Sequence, residues 1–395
     1  MDQMSGKNCG CSEKTGPGVS TRGVAIMPFM DQNIECTDET AGPMASHGKP
    51  GYKLCSYVED FIQTETGPVP RIKTHMGKDD LFSTFYVRCG IRRYSYTVAP
   101  GLYCIGNPDK NSEVLVTANF KLSFDHLRKY LKGINAWILV LDTKGINVWC
   151  AAGKGTFSTR ELVKRIKEAS LEKIVDHKRV IVPQLGATGV SSGQAKKESG
   201  FRVVYGPVRA EDLPLFLKNN RKADKKMRSV TFNLMERMIL IPVEIQISLK
   251  PALITVIIAF IVSGFGPGFF SFSKALSRGM VSLAALVAGI ISGTIITPAL
   301  LPFIPFREFA AKGIIPGTVL GLGMIAMESS SIYSVPGYMA LFLFTVTISS
   351  FLSMNFTGTT PFTSPSGVEK EMKRFIPVQL AAVLLSMVLW IYAAF

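Results

Sequence analysis

The sequence predicts an α/β domain followed by an all-α transmembrane bundle of about five helices. Short apolar, β-branched runs alternate with helical segments between residues 51 and 217, a pattern typical of a largely parallel sheet. The last 147 residues contain five apolar stretches, but only eight of the 44 Lys and Arg residues and four of the 29 Asp and Glu residues. The average composition therefore hides two different regions.

Residues 1–50 are predicted to form a flexible leader, because they are rich in Gly, Pro, Ser and Thr. The first residues lack the hydrophobic core of a signal peptide. Cys9 and Cys11 are spaced C-x-C without a second pair to complete a metal site, so we expect two free thiols. All seven cysteines lie at or before Cys150, and without an export signal they indicate a reduced, cytoplasmic compartment without disulfides.

Four strands and two helices are predicted within the α/β domain, residues 51–217. The strands are the apolar runs at residues 114–118, 136–141, 180–182 and 201–205. The helices cover residues 124–131 and an amphipathic segment that Ser158 and Glu161 begin as a capping box. In such sheets, ligands bind beyond the carboxyl ends of the strands. The candidate binding loops share this position and follow Ala118, Asp142 and Pro183.

A basic linker is predicted at residues 218–248. Its cations are concentrated in one run, formed by Lys218, Arg221, Lys222, Lys225, Lys226 and Arg228. The run ends about 20 residues before the first apolar stretch, where cytoplasmic basic residues fix membrane orientation and attract anionic membrane lipid. The remaining charge behind the formal +15 is scattered. Without an RNA-binding motif or zinc-finger spacing, no nucleic-acid partner is predicted.

The transmembrane domain, residues 249–395, is predicted to contain about five helices. Its apolar stretches run approximately over residues 249–265, 280–301, 313–327, 336–356 and 376–395. The first and third are short, and they carry Pro251 and Pro316 near their starts, where a first helical turn tolerates proline. Close helix packing is predicted at two small-residue motifs, Gly289-x-x-x-Gly293 and Gly317-x-x-x-Gly321.

The flanking charges predict a multi-pass protein of the inner (cytoplasmic) membrane, with the α/β domain facing the cytoplasm. The inner loops would carry Arg307, Lys312, Lys370, Lys373 and Arg374, and the outer side Lys274 and Arg278. Glu328, at the end of a span, is the only candidate for a buried ionisable group of the kind that ion transport requires. We therefore favour an anchor and docking platform over a transporter.

The segment that carries chemistry is Asn147-Val-Trp-Cys-Ala-Ala-Gly-Lys154, just past the second predicted strand. It places the thiol of Cys150 beside very small residues, which let backbone lie close to a flat surface. A phosphate loop is excluded, because Val148 stands where that motif needs glycine and Gly155 where it needs Ser or Thr. Cys150 then has three interpretations: an inert core cysteine, a nucleophile without a nearby histidine in sequence, or a metal ligand.

The same eight residues resemble the signature of the mercury-methylating corrinoid protein family, HgcA. The resemblance extends to Val116-Thr-Ala-Asn-Phe-Lys-Leu122, Ala136-Trp-Ile-Leu-Val-Leu-Asp142, Pro183-Gln-Leu-Gly186 and Tyr205-Gly-Pro-Val208. These segments are also similar to the corrinoid subunit of the acetyl-CoA pathway's iron–sulfur methyl carrier. The resemblance covers roughly residues 51–217 and the five-span tail, and it gives no role to Cys9 or Cys11.

The resemblance implies a Rossmann-like corrinoid-binding domain that holds cobalamin or a related corrinoid, with Cys150 as the lower axial ligand of the cobalt. In the family this signature forms a cap helix beneath the corrin ring, and its alanines and glycine would let the helix lie against the macrocycle. The side chain of Asn147 would hold the helix or the thiol. The implied cofactor-binding residues are Asn147, Val148, Trp149, Cys150, Ala151, Ala152, Gly153 and Lys154, with Thr117, Asn119 and Gly186 from the loops.

The implied activity is transfer of a methyl group from methyl-Co(III) corrinoid to Hg(II), giving methylmercury. A thiolate donor suits this chemistry, because axial ligands set the electronic properties of a bound metal. Reduction to Co(I) would need a partner, since this chain has no iron–sulfur Cys run of its own. The resemblance implies a ferredoxin-like, HgcB-type electron donor with two 4Fe–4S clusters, and a folate-type methyl donor acting directly or through another methyltransferase.

Two alternatives stay open at this point. In the first, the protein is a corrinoid methyl carrier whose physiological acceptor is not mercury. In the second, it is a membrane-bound corrinoid or metal carrier without catalytic turnover of its own.

Overall fold

The computed structural model describes residues 56–327, 334–357, 360, 363 and 365–395. The predicted leader, with Cys9 and Cys11, lies outside the described residues, and so does Glu328. The described chain consists of a mixed α/β region followed by a helical C-terminal region.

Seven strands form one mixed sheet. They are β1 (Val58–Thr64), β2 (Gly67–Ile72), β3 (Gly101–Ile105), β4 (Val114–Ala118), β5 (Ala136–Leu141), β6 (Arg179–Val182) and β7 (Arg202–Tyr205). Their order across the sheet is β1-β2-β3-β5-β4-β6-β7. The four strands β5, β4, β6 and β7 are parallel, whereas β3 runs antiparallel to β5 and β1 antiparallel to β2. The prediction of a parallel-rich sheet is confirmed, and β1 to β3 were missed.

Six helices accompany this sheet: α1 (Lys78–Arg88), α2 (Lys121–Lys129), α3 (Val148–Gly153), α4 (Thr159–Glu168), α5 (Ser192–Ser199) and α6 (Leu213–Lys218). Every residue of β4 and β5 is buried, because apolar side chains cover both faces of the sheet. Only half of the predicted capping box at α4 forms. Ser158 Oγ accepts from Glu161 N at 3.3 Å, but the Glu161 carboxylate accepts from Asp142 N at 2.9 Å instead of turning back to Ser158.

The first part of the predicted basic linker packs on the α/β region. Met227 is buried with Leu213 and Phe216 of α6, and its carbonyl accepts from the backbone N–H of Val208 at 2.8 Å. Arg221 forms an ion pair with Glu113 at 2.7 Å. These contacts tie the chain to the sheet as far as residue 228, shortly before α7 (Leu234–Met238) begins.

The C-terminal region is helical, and its helices are α8 (Ile241–Gly264), α9 (Phe272–Ile291), α10 (Thr297–Leu300), α11 (Phe309–Met327), α12 (Val335–Phe356) and α13 (Pro365–Tyr392). A short hairpin of β8 (Phe265–Gly266) and β9 (Phe269–Phe270) joins α8 to α9, and a π-helical turn, Ser292–Ile296, joins α9 to α10. Five helical stretches in the described residues are long and apolar enough to cross a membrane: Leu234–Gly264, Phe272–Leu300, Phe309–Met327, Val335–Phe356 and Ser366–Tyr392. The predicted number is confirmed, and each stretch begins earlier than predicted.

Helix α12 packs against α9 and α11 at the predicted small-residue motifs. A Cβ added to Gly293 would lie 2.9 Å from Leu352 Cβ, and one added to Gly317 would lie 2.8 Å from Ser349 Cβ. The Ser349 hydroxyl donates to the carbonyl of Gly313 at 2.6 Å. The prediction of close helix packing is therefore confirmed, because no larger side chain fits at these crossings.

Two predictions about this region are wrong. Pro251 and Pro316 lie inside α8 and α11 and not in first turns, because both helices begin earlier than their apolar cores. Lys312 is not in a loop, since its ammonium is buried and donates to the carbonyls of Leu301 at 2.8 Å and Ile304 at 2.5 Å. It satisfies carbonyls of the turn that follows α10.

Glu328 is also not the only ionisable candidate for the interior of the bundle. Arg278 is buried and donates to the carbonyl of Trp390, whose indole ring it contacts at 4.4 Å. Glu371 is buried as well, and its carboxylate accepts from the backbone N–H of Ala310 at 2.7 Å. These groups bond to backbone at helix ends, which favours a structural role.

Candidate functional site

The candidate site lies where the four parallel strands end. Because β5, β4, β6 and β7 point the same way, the loops that follow them meet at one edge of the sheet. A cavity of about 320 Å³ opens at this edge. Its polar lining comes from Thr117, Ser123, His126, Asn147 and Arg209, and most of its other lining residues are apolar.

Asn119 organises the loop between β5 and α3. Its Oδ1 accepts from the backbone N–H groups of Thr143 at 3.0 Å and Gly145 at 3.1 Å. Lys144 and Gly145 both have a positive φ, so the loop turns sharply at these two residues. The hydrogen bonds to Asn119 stabilise this turn. Asp142 stays ionised there: burial opposes ionisation, but hydrogen bonds from Lys144 outweigh it and lower the pKa of Asp142.

The loop ends at Asn147, which is the N-cap residue of α3. The Asn147 side-chain oxygen accepts from the backbone N–H of Cys150 at 2.9 Å. A six-residue helix has little stability of its own, so this cap matters for keeping Cys150 in a helical turn. Of the two alternatives predicted for Asn147, it holds the helix and not the thiol.

The two faces of α3 have different surroundings. Ala151 and Ala152 are buried in the apolar core with Phe157, whereas Trp149 and Cys150 are exposed. An added Cβ on Gly153 would meet no described atom within 4 Å. Cys150 therefore stands on the outer face of the helix, next to an exposed indole ring and an open glycine.

Close packing beneath α3 explains its small residues. A Cβ added to Gly189 would overlap the carbonyl oxygen of Phe157 and lie 3.1 Å from the Cα of Ala152. A Cβ added to Gly186 would lie 2.5 Å from the ring of Phe157. The side chains of Ala151 and Ala152 are buried and let α3 approach the protein's own loop after β6, so the expected contact of these alanines with a macrocycle stays a prediction. Only Gly153 is on the outer face as expected.

The structure brings together part of the predicted set. Thr117, Asn147, Val148 and Trp149 line the cavity. Cys150, Gly153 and Lys154 lie on the exposed side of the helix beyond that lining. Asn119, Ala151, Ala152 and Gly186 are buried in supporting positions. Their assignment as cofactor-binding residues stays a prediction.

Sequence reasoning missed the two ionisable residues that line the cavity. His126 of α2 lines it with an exposed side chain, and desolvation by the protein atoms around the ring, with the charge of Lys129, lowers the pKa of its imidazole. Arg209 also lines it and forms ion pairs with Glu211 at 2.8 Å and with Glu236 of α7. The one signal available was position, since both residues follow strands of the parallel set.

Among the described residues, the metal-ligating side chains near the cavity suit only a metal whose other ligands come from a bound macrocycle. Within the described ranges, no three His, Cys, Asp or Glu side chains converge to hold a metal ion. Cys150 offers one accessible thiol. A single soft donor fits an axial position on a macrocycle-bound metal and does not complete a tetrahedral protein site.

Part of the α/β region matches a known protein family. Residues 90–217 match the protein family CdhD, described as CO dehydrogenase/acetyl-CoA synthase delta subunit. The matched segment contains β3 to β7 and the Cys150 helix. It covers about a third of the chain, and the helical region lies outside it.

Individual relatives agree with this match. The acetyl-CoA decarbonylase/synthase complex subunit gamma of Methanopyrus kandleri is 36% identical over 123 residues, 31% of this chain and 26% of the relative. The gamma 2 subunit of Methanosarcina thermophila is 39% identical over 124 residues, 30% of this chain and 26% of the relative. The corrinoid/iron-sulfur protein large subunit of Moorella thermoacetica is 30% identical over 118 residues, 29% of this chain and 26% of the relative.

The chain thus spans about a quarter of the length of the curated relatives that it matches. The predicted relation to the corrinoid subunit is confirmed over this region. The closer resemblance to the mercury-methylating family stays a prediction.

Proposed function

We propose that this protein is a membrane-anchored corrinoid methyltransferase that transfers a methyl group to Hg(II). Cys150 would be the lower axial ligand of the corrinoid cobalt. The observation that carries the proposal is the exposed thiol of Cys150 on an N-capped helix, beside a cavity at the carboxyl edge of the parallel strands. The segment around it is related to a protein named as a corrinoid/iron-sulfur protein large subunit.

The residues present fit such a cofactor in size and chemistry. At about 320 Å³ the cavity is at the small end of ligand pockets, so it would take one arm of a corrinoid and not the whole molecule. Thr117, His126 and Trp149 would contact that arm. When bound, the corrinoid would supply the methyl group that the reaction transfers.

The chain's own contribution is to hold one sulfur atom in place. Asn147 fixes the backbone of Cys150, and the packing of Ala152 against Gly189 fixes the height of the helix above the sheet. A thiolate is a strong, soft donor, and the axial ligand is the main means by which a protein sets the electronic properties of a macrocyclic metal. Hg(II) is a soft acceptor, which suits methyl transfer from such a centre.

We propose that the five apolar stretches anchor the chain in the inner membrane with the α/β domain in the cytoplasm. The support is the distribution of charge. Exposed cations at the ends predicted to be inside include Arg307, Lys370, Lys373 and Arg374, against Lys274 outside. Burial of Arg278 and Lys312 removes one cation from each side of this comparison, and the bias keeps its sign.

The proposed partners are an electron donor, a methyl donor and Hg(II). The relatives from Methanopyrus kandleri and Methanosarcina thermophila are named as subunits of a complex, which supports the proposal that this chain also works with other proteins. A ferredoxin-like protein with two 4Fe–4S clusters would deliver electrons, and a folate-type donor the methyl group. The exposed side of α3 leaves Cys150 accessible to such partners.

The proposal is tested with the full chain in detergent, given methylcobalamin, a reductant and Hg(II). We expect methylmercury to form faster than with the free cofactor, and Cys150→Ala to return the rate to that of the free cofactor. Cys89→Ala is the matched control, because Cys89 is also a free cysteine but lies at the end of α1, away from the cavity.

The same assay separates the alternatives. Faster transfer to a different acceptor than to Hg(II) would identify a methyl carrier for which mercury is incidental. A protein that binds the corrinoid but never exceeds the free-cofactor rate with any acceptor would be a non-catalytic carrier.

A further inference from the structure

Helix α1 presents an apolar face to its surroundings. Leu81, Phe82, Phe85 and Tyr86 are 59%, 64%, 64% and 52% exposed, and they adjoin one another on the helix because they are spaced by one, three and four residues. Here these four residues are named the α1 face. Contiguous exposed apolar surface of this kind marks an interaction site in soluble domains.

The opposite side of α1 is held firmly to the α/β region. The buried Asp80 carboxylate forms ion pairs with Lys121 at 2.9 Å and Arg128 at 2.7 Å, both on α2. Val87 is buried one residue before the helix ends. Because these contacts fix the rotation of α1, its apolar face cannot turn inward to be covered by the domain itself.

The end of α1 lies at the level where α8 enters a membrane. A hydrocarbon core about 30 Å thick takes about 20 helical residues. Counting back that length from Gly264, where α8 ends, puts the inner boundary near Gln246. Gly90, two residues after α1, touches this residue: an added Cβ would lie 2.6 Å from Gln246 Oε1.

Basic residues follow the α1 face directly. Arg88 is the last residue of α1, and Arg92 and Arg93 follow it by four and five residues. None of the three forms an ion pair within the described part of the chain, although Arg93 lies over the Phe120 ring at 5.7 Å. The charge of Arg93 also acts on Glu244, two residues before Gln246. Apolar and aromatic side chains bordered by arginines are the composition of helices that lie in the membrane–water interface.

We propose that α1 lies in the plane of the membrane and inserts the α1 face among anionic phospholipids. The arginines that follow it would lie at the lipid phosphates. The inference rests on the proposed membrane insertion of the five helical stretches and adds a second, peripheral attachment. It follows that the α/β domain, with Cys150, is held at a fixed distance from the bilayer and does not swing on a tether.

The test uses the photoreactive residue p-benzoylphenylalanine at position 82 or 85 of the full chain. The protein is reconstituted in vesicles of phosphatidylethanolamine and alkyne-tagged phosphatidylglycerol and irradiated. Phe61 of β1 is the matched control, an exposed phenylalanine elsewhere on the α/β domain. Leu253 of α8, which is 63% exposed, reports separately on whether the helical stretch is in the bilayer.

We expect lipid adducts at positions 82, 85 and 253, and several-fold fewer at position 61. Arg92→Gln should lower the yield of phosphatidylglycerol adducts at position 82 by about fivefold, the effect of one cation near a membrane surface. Adducts at position 253 but not at 82 or 85 would overturn the inference and leave the membrane anchor standing. Crosslinking of position 82 to a second protein chain without lipid adducts would also overturn it. Absence of adducts at all four positions would overturn the anchor as well.

Discussion

Helices α3 and α12 both pack against their neighbours through small residues, but they differ in how much of their surface remains exposed. Both use small residues for close approach: Ala152 of α3 against Gly189, and Ser349 of α12 against Gly317. In α12 these contacts occupy two sides, because α9 and α11 flank it. In α3 they occupy one side only, and the other side carries the exposed thiol of Cys150.

The difference shows what small residues indicate in this chain. Small residues mark the positions where two stretches of backbone approach each other closely. In the bundle, this close approach is all that the contact provides. At the Cys150 helix the same packing supports one side of the helix. The residues that could take part in chemistry are those on the side that the packing leaves exposed. An Ala-Ala-Gly run after a cysteine therefore predicts a supported helix before it predicts contact with a ligand.

The comparison implies that α3 depends on the α/β region alone. Removal of the helical bundle is therefore the strongest test of this dependence. We expect residues 56–230 to fold and bind cobalamin without α8 to α13. Ending the chain at residue 217 removes Met227 and the Arg221–Glu113 ion pair, and should lower the free energy of unfolding by about 2–5 kcal/mol. Urea denaturation of the two fragments measures this. Failure of the longer fragment to fold would show that the bundle supports the site.

A pair of glycine substitutions separates the two faces of α3. Gly189→Ala places a methyl group against Phe157 O and Ala152, and should lower the free energy of unfolding of the 56–230 fragment by about 1–3 kcal/mol and weaken cobalamin binding. Gly153→Ala on the open face should be neutral or stabilise by up to about 1 kcal/mol. Equal losses at the two positions would mean that the outer face is also packed.

Loss of the N-cap should have a smaller effect on stability. Asn147→Ala removes the hydrogen bond to Cys150 N and is expected to cost about 1 kcal/mol of unfolding free energy. Cobalamin binding should fall because the helix that carries the thiol is no longer fixed, and Asn147→Asp, which keeps the acceptor oxygen, should recover most of it. If Asn147→Asp fails as badly as Asn147→Ala, the amide has a role other than capping.

The smallest expected effect is on the pH dependence of stability. Desolvation by neighbouring protein atoms lowers the pKa of the exposed His126 below its ordinary value of 6.5, so the unfolded chain binds a proton more readily than the folded one. The contribution is present above that ordinary value and is lost as the pH falls below it. His126→Gln should flatten the loss of stability of the 56–230 fragment between about pH 7.5 and about pH 5.5. An unchanged slope would assign the loss to other groups.

The parallel core was predictable because its strands are continuous apolar runs. β4 and β5 have the predicted bounds, since a strand buried on both faces leaves an unbroken signal in the sequence. β1 and β2 gave no such signal in the sequence. β1 mixes charged and apolar residues. β2 contains Pro68 and Pro70, and proline usually argues against a strand. β2 tolerates them because its pairing with β3 is confined to Arg71 and Cys104.

The candidate site was predictable in its location and not in its orientation. The signature placed Cys150 after a parallel strand, where it lies. Which face of α3 is buried depends on contacts with Gly186 and Gly189, more than thirty residues away, that local periodicity cannot reveal. His126 and Arg209 belong to the cavity for the same reason, through the meeting of distant loops.

The absorption spectrum of the full chain reconstituted with cobalamin tests the Cys150–cobalt bond most directly. We expect the cobalt bands of the native protein to differ from those of Cys150→Ala, because the lower axial donor changes from sulfur to water or nothing, while Cys89→Ala keeps the native spectrum. Identical spectra for native protein and Cys150→Ala, with the corrinoid bound in both, would contradict the account.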